Sequence, residues 1–150
     1  MAHFGTPCRS FTWARQPQLR SAAWIMGLPS LSEEQRRLVE DGNSLIGWTM
    51  KCCWLLRSVS ALFSVENPFP SWIWVFPATL ELLSCNDTIL TLATFQSYGS
   101  GWYKLTGVMH NTSTLHRLDL LEPAEKAEVI LRGQLEYDGK LEFAIALACE

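Results

Sequence analysis

The most informative segment for the fold is Ala2-His3-Phe4-Gly5-Thr6-Pro7-Cys8-Arg9-Ser10-Phe11-Thr12. Its first three residues resemble the end of a β-strand, and the glycine and proline that follow force the chain into a turn. Ligands of open α/β sheets bind where strands end and loops begin. The segment therefore predicts an α/β fold in which Cys8 lies at the ligand-binding edge of the sheet.

A second motif, Val65-Glu66-Asn67-Pro68, stands at the end of a predicted strand over residues 63–65. Between the two motifs, Ser32 and Gln35 form a capping-box pattern that predicts a short polar helix over residues 33–40. Asn43 is predicted to cap a second, longer helix, because apolar residues follow it at helical spacing as far as Val59. The order strand, helix, strand is typical of an α/β sandwich.

The remaining elements continue this alternation. We predict a helical turn over residues 78–83, strands over 89–95 and 105–109, a weak helix over 124–131 and a turn at Asp138-Gly139. We interpret the chain as one partial domain over residues 1–150. Its parts are a strand end and Pro-Cys loop (1–12), an irregular segment (13–31), helices (32–62), a strand with the Glu-Asn-Pro loop (63–77) and C-terminal strands and loops (78–150).

Composition excludes several classes of protein. The chain has 150 residues, of which 48% are hydrophobic and 18% charged, and this is typical of a globular domain. Its five cysteines are odd in number and follow no zinc-type spacing, so we expect an intracellular protein without a disulfide framework or a metal site. The apolar stretches are too short for a membrane span. The net charge of −3 indicates no general nucleic-acid-binding surface.

The two motifs together resemble a known family. The pattern Gly5-x-Pro7-Cys8-x-x-Phe11-Thr12 is similar to the nucleophile loop of carbon-5 cytosine-specific DNA methyltransferases, and Val65-Glu66-Asn67-Pro68 is similar to their Glu-Asn-Val motif. A looser third pattern resembles phage and mobile-element relatives of the Glu-Asn-Pro type. It consists of Tyr98-Gly99, Lys104-x-Thr106 and Asn111.

The resemblance assigns chemical roles to these residues. Cys8 would add as a thiolate to carbon 6 of cytosine, and Glu66 would act as general acid at nitrogen 3. The base would have to flip out of the duplex to reach them. Nearby Arg9 or a helix N-terminus would lower the pKa of Cys8. The binding surface would include Pro7, Asn67 orienting Glu66, Pro68 fixing the loop, and Arg15, Arg20 and Lys104 contacting phosphate.

The resemblance also shows what is missing. In this family a glycine-rich loop and an acidic residue bind S-adenosylmethionine, and both precede the Pro-Cys loop, whereas only seven residues precede Cys8 here. The Gln-x-Arg-x-Arg motif that contacts DNA in the family is not recognisable. We therefore expect an incomplete Rossmann-like methyltransferase sandwich without the donor-binding strands, unable to bind the donor by itself.

Several interpretations stay open. The chain is expected to be a remnant or fragment of a DNA cytosine methyltransferase, inactive alone, with DNA as its partner. Alternatively it is a non-catalytic nucleic-acid-binding or interaction module derived from a mobile element, or a half-domain that assembles with a separate donor-binding chain. Cys8 could also be a small buried hydrophobe, and Glu66 could form a salt bridge. The spacing of Trp72 and Trp74 fits one face of a strand, where we expect them to pack in the core, with a base-stacking platform as the alternative.

Overall fold

A computed structural model describes residues 1–98, 104–118, 134–137 and 140–143. The helix expected over 124–131, the glycines at 99 and 101, and the turn at 138–139 lie outside the described residues. The described C-terminal part is a two-stranded antiparallel ribbon, in which Gln134–Tyr137 pairs with Lys140–Phe143.

The centre of the fold is a mixed four-stranded sheet. Its strands are β1 (Ala2–Gly5), β2 (Phe63–Pro68), β3 (Ile89–Thr94) and β4 (Leu105–His110), arranged in the order β1-β2-β4-β3. Strands β1 and β2 are parallel, whereas β4 runs antiparallel to both of its neighbours. Consequently β1, β2 and β3 end at one edge of the sheet, and β4 begins at that same edge.

A single long helix, α1 (Glu33–Ser58), connects β1 to β2. The predicted capping box is confirmed, because the Ser32 side chain accepts from the Gln35 backbone and the Gln35 side chain accepts from the Ser32 backbone. The prediction of two helices is wrong, since the chain remains helical through Asn43. Asn43 caps nothing: its side chain instead bonds Arg20 and the Met26 carbonyl.

The short helix α2 (Pro77–Leu83) lies on the same side of the sheet as α1. A single 3₁₀ turn, Trp72–Val75, precedes α2, so the prediction that the two tryptophans share a strand face is wrong. Trp74 is buried instead over Gly107, where any Cβ would lie within 3.0 Å of the indole ring. The core between sheet and helices includes Phe11, Ile46, Met50, Cys53, Phe63, Val65, Ile73, Leu82 and Met109.

The opposite face of the sheet carries buried polar side chains. His110 is fully buried, and its Nε2 atom lies 2.8 Å from the Thr91 hydroxyl. Between β1 and β2, the Nδ1 atom of the exposed His3 lies 2.9 Å from the hydroxyl of the buried Ser64. These pairs give the buried His110, Thr91 and Ser64 partners without which their burial would be costly. The sheet is thus covered by apolar helices on one face and stabilised by polar pairs on the other, as in a mixed α/β fold.

Candidate functional site

The Pro-Cys segment forms a tight turn directly after β1. The Cys8 carbonyl accepts backbone hydrogen bonds from Phe11, at 2.8 Å, and from Thr12, at 2.9 Å. Within the sheet, Gly5 pairs with Glu66 of the neighbouring strand. Cys8 therefore lies at the sheet edge where β1 and β2 end, as the sequence predicted.

Asn67 ties the two motifs together. Its side-chain amide donates a 2.6 Å hydrogen bond to the Thr6 carbonyl, and the residue is only 1% exposed. The Glu-Asn-Pro residues lie within β2, paired with β4, and not in a loop after the strand. Because neighbouring strand residues point to opposite faces, Asn67 and Glu66 point away from each other. Asn67 thus holds the Pro-Cys turn, in place of the expected role of orienting Glu66.

Glu66 faces a cation from the start of β4. The Lys104 ammonium nitrogen lies 3.4 Å from a Glu66 carboxylate oxygen, and both side chains are a little over a quarter exposed. The same nitrogen lies 4.7 Å from the centre of the Phe95 ring, within cation–π range. Lys104, expected to contact phosphate, is therefore the ion-pair partner of Glu66.

Several charges act on the Cys8 thiol, but burial has the largest effect on its pKa. Burial raises the pKa of Cys8, whereas a backbone hydrogen bond at Cys8 and the positive charges of Lys104 and Arg9 lower it, and Glu66 raises it further. The expected influence of Arg9 has the predicted sign but is too small to decide the outcome. Cys8 is accordingly a protonated thiol at neutral pH.

Arg20 is a structural residue and is unavailable to phosphate. It is 1% exposed, stacks 3.8 Å from the Phe11 ring centre, and donates five hydrogen bonds. Desolvation lowers its pKa to about 10. The acceptors are all uncharged oxygens: the carbonyls of Ser10, Ile25 and Val39, the Ser10 hydroxyl and the Asn43 amide. Arg20 thereby fastens the segment after Cys8 to α1.

The other predicted site residues occupy different environments. Pro7 and Arg9 are exposed beside Cys8, while Pro68 is buried and its carbonyl accepts from the Trp74 indole at 3.0 Å. Arg15 is partly buried, and its Nε atom has no hydrogen-bond partner. Pro7 and Arg9 can therefore contact a bound molecule, whereas Pro68 is part of the core.

One aromatic feature beside the site was not predicted. Trp13 and Trp72 stack with their ring centres 5.2 Å apart and their planes tilted by 49°. An isolated antiparallel bridge between Thr12 and Ser71 brings the two segments together. Only the contact between these distant segments reveals the pair, and no spacing in the sequence does.

The methyl donor of the resembled family does not fit the described residues. None of the described strands leads through a glycine-rich loop into a helix, which is the arrangement that the donor site requires. The first turn of α1 carries Glu33 and Glu34, which would repel the donor's carboxylate. The described residues therefore do not fit the donor in the way that the resembled family binds it.

Two further features concern metals and membranes. Within the described ranges, no three His, Cys, Asp or Glu side chains are grouped closely enough to hold a metal ion. Across those same residues, no helix combines the length and apolar character needed to cross a bilayer.

Comparisons of the chain with protein-family models, with curated proteins and with solved structures gave no match.

Proposed function

We propose that this chain is the base-binding half of a carbon-5 cytosine DNA methyltransferase-like protein, a remnant or fragment that cannot transfer a methyl group alone. The observation that supports this most is the Asn67–Thr6 hydrogen bond, which holds the Pro-Cys turn against the strand that bears Glu66. The charges of Glu66 and Lys104 both act on Cys8, so the three groups share one site.

The resting protonation state suggests how a base would react there. Cys8 holds its proton, and Glu66 is ion-paired with Lys104. When cytosine enters, the Cys8 proton passes to Glu66, and the sulfur forms a bond to carbon 6. The carbon 5–carbon 6 π electrons form a new carbon 4–carbon 5 double bond, the carbon 4–nitrogen 3 π electrons move onto nitrogen 3, and Glu66 gives its proton to nitrogen 3, so protons and charge balance. Lys104 keeps the site neutral before the base arrives.

The addition step can be tested without a methyl donor. The probe is a single-stranded oligonucleotide containing 5-azacytosine, whose carbon 6 is more electrophilic than that of cytosine, and the readout is the intact mass of the protein. We expect a covalent adduct that Cys8→Ser abolishes and Glu66→Gln slows by roughly 10²-fold or more, the range for general acid–base catalysis. Cys85→Ser and Glu81→Gln serve as matched controls. An adduct that survives Cys8→Ser, or no adduct at all, would contradict the proposal.

The missing donor site has its own test. Calorimetric titration of the chain with S-adenosylmethionine should give no saturable heat, because the described residues offer the donor no fit. If a separate donor-binding chain completes the enzyme, adding it should restore both donor binding and methyl transfer. Micromolar affinity of this chain alone for the donor would show that its binding site had been missed.

A second candidate function is a non-catalytic nucleic-acid-binding module. The raised pKa of Cys8 favours it, since a protonated thiol is a poor nucleophile. This module would bind the azacytosine oligonucleotide reversibly and form no adduct. The mass measurement together with a binding measurement therefore distinguishes the two functions.

A further inference from the structure

An exposed aromatic surface lies next to the Cys8 turn. Trp13 is 47% exposed, and its ring contacts the partly buried ring of Trp72, with the ring centres 5.2 Å apart and the planes tilted by 49°. A solvent-exposed indole with another aromatic ring behind it is held in one orientation, and one of its faces remains open to a planar ligand. We refer to Trp13 and Trp72 together as the tryptophan shelf.

The backbone holds the shelf rigidly. The Trp13 amide donates to the Pro70 carbonyl at 3.3 Å, and the Trp72 amide donates to the Phe11 carbonyl at 2.9 Å. The second of these bonds joins the shelf to Phe11, whose own amide donates to the Cys8 carbonyl in the turn. Trp13 therefore keeps a fixed position relative to Cys8, so that a ligand stacked on the shelf would have a defined register with the site.

The local charge indicates what kind of ligand stacks there. Residues 1–32 contain no aspartate or glutamate, and besides the buried Arg20 they carry the exposed Arg9 and the partly buried Arg15, although the whole chain has a net charge of −3. Positive charge next to an exposed indole favours a ligand that combines an aromatic ring with an anion, which a neutral sugar does not.

We propose that the tryptophan shelf stacks an unpaired base of a single-stranded nucleic acid, next to the base that enters the Cys8 site. This inference rests on the proposed function for the identity of the neighbouring site, but the stacking itself does not require Cys8. Base–aromatic stacking tolerates any sequence, because every base has a π face. The shelf would thus fix the strand while the Cys8 site selects the base.

The test measures binding of a fluorescently labelled single-stranded oligodeoxynucleotide of about 12 nucleotides, a typical site size, by anisotropy at low salt. Trp13→Ala should weaken binding by roughly tenfold, whereas Trp13→Phe, which keeps a stacking ring, should stay within a few-fold of wild type. Trp24→Ala is the matched control, because Trp24 is 53% exposed in the same segment. Urea denaturation of each variant checks that it is folded.

The outcomes separate this proposal from the reaction proposed above. The anisotropy measurement follows reversible binding and requires no adduct, so a failed adduct experiment leaves the stacking result intact. Equal binding by Trp13→Ala and wild type would overturn the shelf, as would absence of any binding by wild type. Tighter binding of the same sequence as a duplex, or of maltohexaose, would also overturn it.

Discussion

Asn67 and Thr6 lie 61 residues apart in the chain, yet the Asn67 amide donates to the Thr6 carbonyl at 2.6 Å in a fully buried contact. This hydrogen bond is the direct link between the Pro-Cys turn and the Glu-Asn-Pro strand. Replacing a buried donor leaves the carbonyl unsatisfied, and the cost is that of its lost solvation.

Asn67→Asp should therefore destabilise the protein by about 1–3 kcal/mol, because it places a second acceptor against the Thr6 carbonyl. The free energy of unfolding in urea measures the loss, and the rate of Cys8 alkylation should change with it, since the turn is released. Asn86→Asp, at an exposed position, is the control and should have no effect. Wild-type stability in Asn67→Asp would show that the link is unimportant.

The pH dependence of Cys8 alkylation tests the charges around the thiol. Burial raises the pKa of Cys8, so the alkylation rate should still be rising with pH above the ordinary cysteine value of about 8.5. Lys104→Gln removes a charge that lowers this pKa and should shift the profile to higher pH, whereas Glu66→Gln should shift it to lower pH. Peptide mass spectrometry follows Cys8 separately from the other cysteines.

Lys51→Gln, on the exposed surface of α1, is the control for the lysine variant and should leave the profile unchanged. Shifts of the opposite sign in Lys104→Gln and Glu66→Gln would mean that neither charge acts on Cys8 as the geometry indicates.

Two glycines of α1 should respond in opposite ways to alanine. A Cβ at Gly42 would lie 2.5 Å from the Ser10 hydroxyl and 3.2 Å from the Arg20 guanidinium, whereas a Cβ at Gly47 meets nothing within 4 Å. Gly47→Ala should therefore stabilise the protein by about 0.5–1 kcal/mol through helix propensity. Gly42→Ala should destabilise it, because the bonds of Arg20 must shift. Urea denaturation measures the free energy of unfolding of both variants. Stabilisation by both would contradict the close approach of Gly42 to Ser10 and Arg20.

Arg20 itself should be sensitive even to conservative replacement. Arg20→Lys keeps the charge but cannot occupy five acceptor positions, and it leaves buried oxygens unpaired. We expect a loss of about 3 kcal/mol or more in the free energy of unfolding. Arg36→Lys, on the exposed side of α1, should change stability little. A loss of only about 0.5 kcal/mol in the free energy of unfolding would show that Arg20 does not hold the segment after Cys8 against α1.

An exposed apolar stripe on α1 predicts self-association. Leu45, Trp48 and Leu55 of α1, together with Val59 at its C-terminal cap, are 39 to 67% exposed, and successive members are three, seven and four residues apart. Exposed apolar patches of this kind promote association. Trp48→Gln with Leu55→Gln should reduce concentration-dependent sedimentation, whereas Glu40→Gln, at an exposed polar position of the same helix, should not. Identical profiles for wild type and the double variant would contradict this expectation.

Local signals in the sequence predicted the elements better than their junctions. The capping box correctly placed the start of α1, and the apolar runs located all four central strands. The break expected at Asn43 was wrong, because Gly42 and Asn43 serve packing against Arg20 and not the helix end. The structural role of Arg20 was not predictable, because its acceptors lie 5 to 23 residues away in sequence and converge only in the fold.

The sequence predicted where the site residues lie but not which contacts they make. The motif order brought Cys8 and Glu66 to one sheet edge, but the Lys104–Glu66 pair depends on β4 lying beside β2. The pairing of β2 with β4 joins segments that are distant in sequence, so no local sequence pattern predicts it. The role of Asn67 was not predicted either. Strand alternation turns its side chain away from Glu66, and its partner, the Thr6 carbonyl, is distant in sequence.

The position of β4 has a consequence for how the chain reaches its native state. β4 is the last of the four central strands to be synthesised, yet it lies between β2 and β3. While the chain grows on the ribosome, β2 can pair only with β1, and its other side stays open until residue 110 has emerged. Sheets that depend on such distant pairing form slowly. A ribosome paused before β4 would therefore hold a nascent chain with an open strand and no completed site.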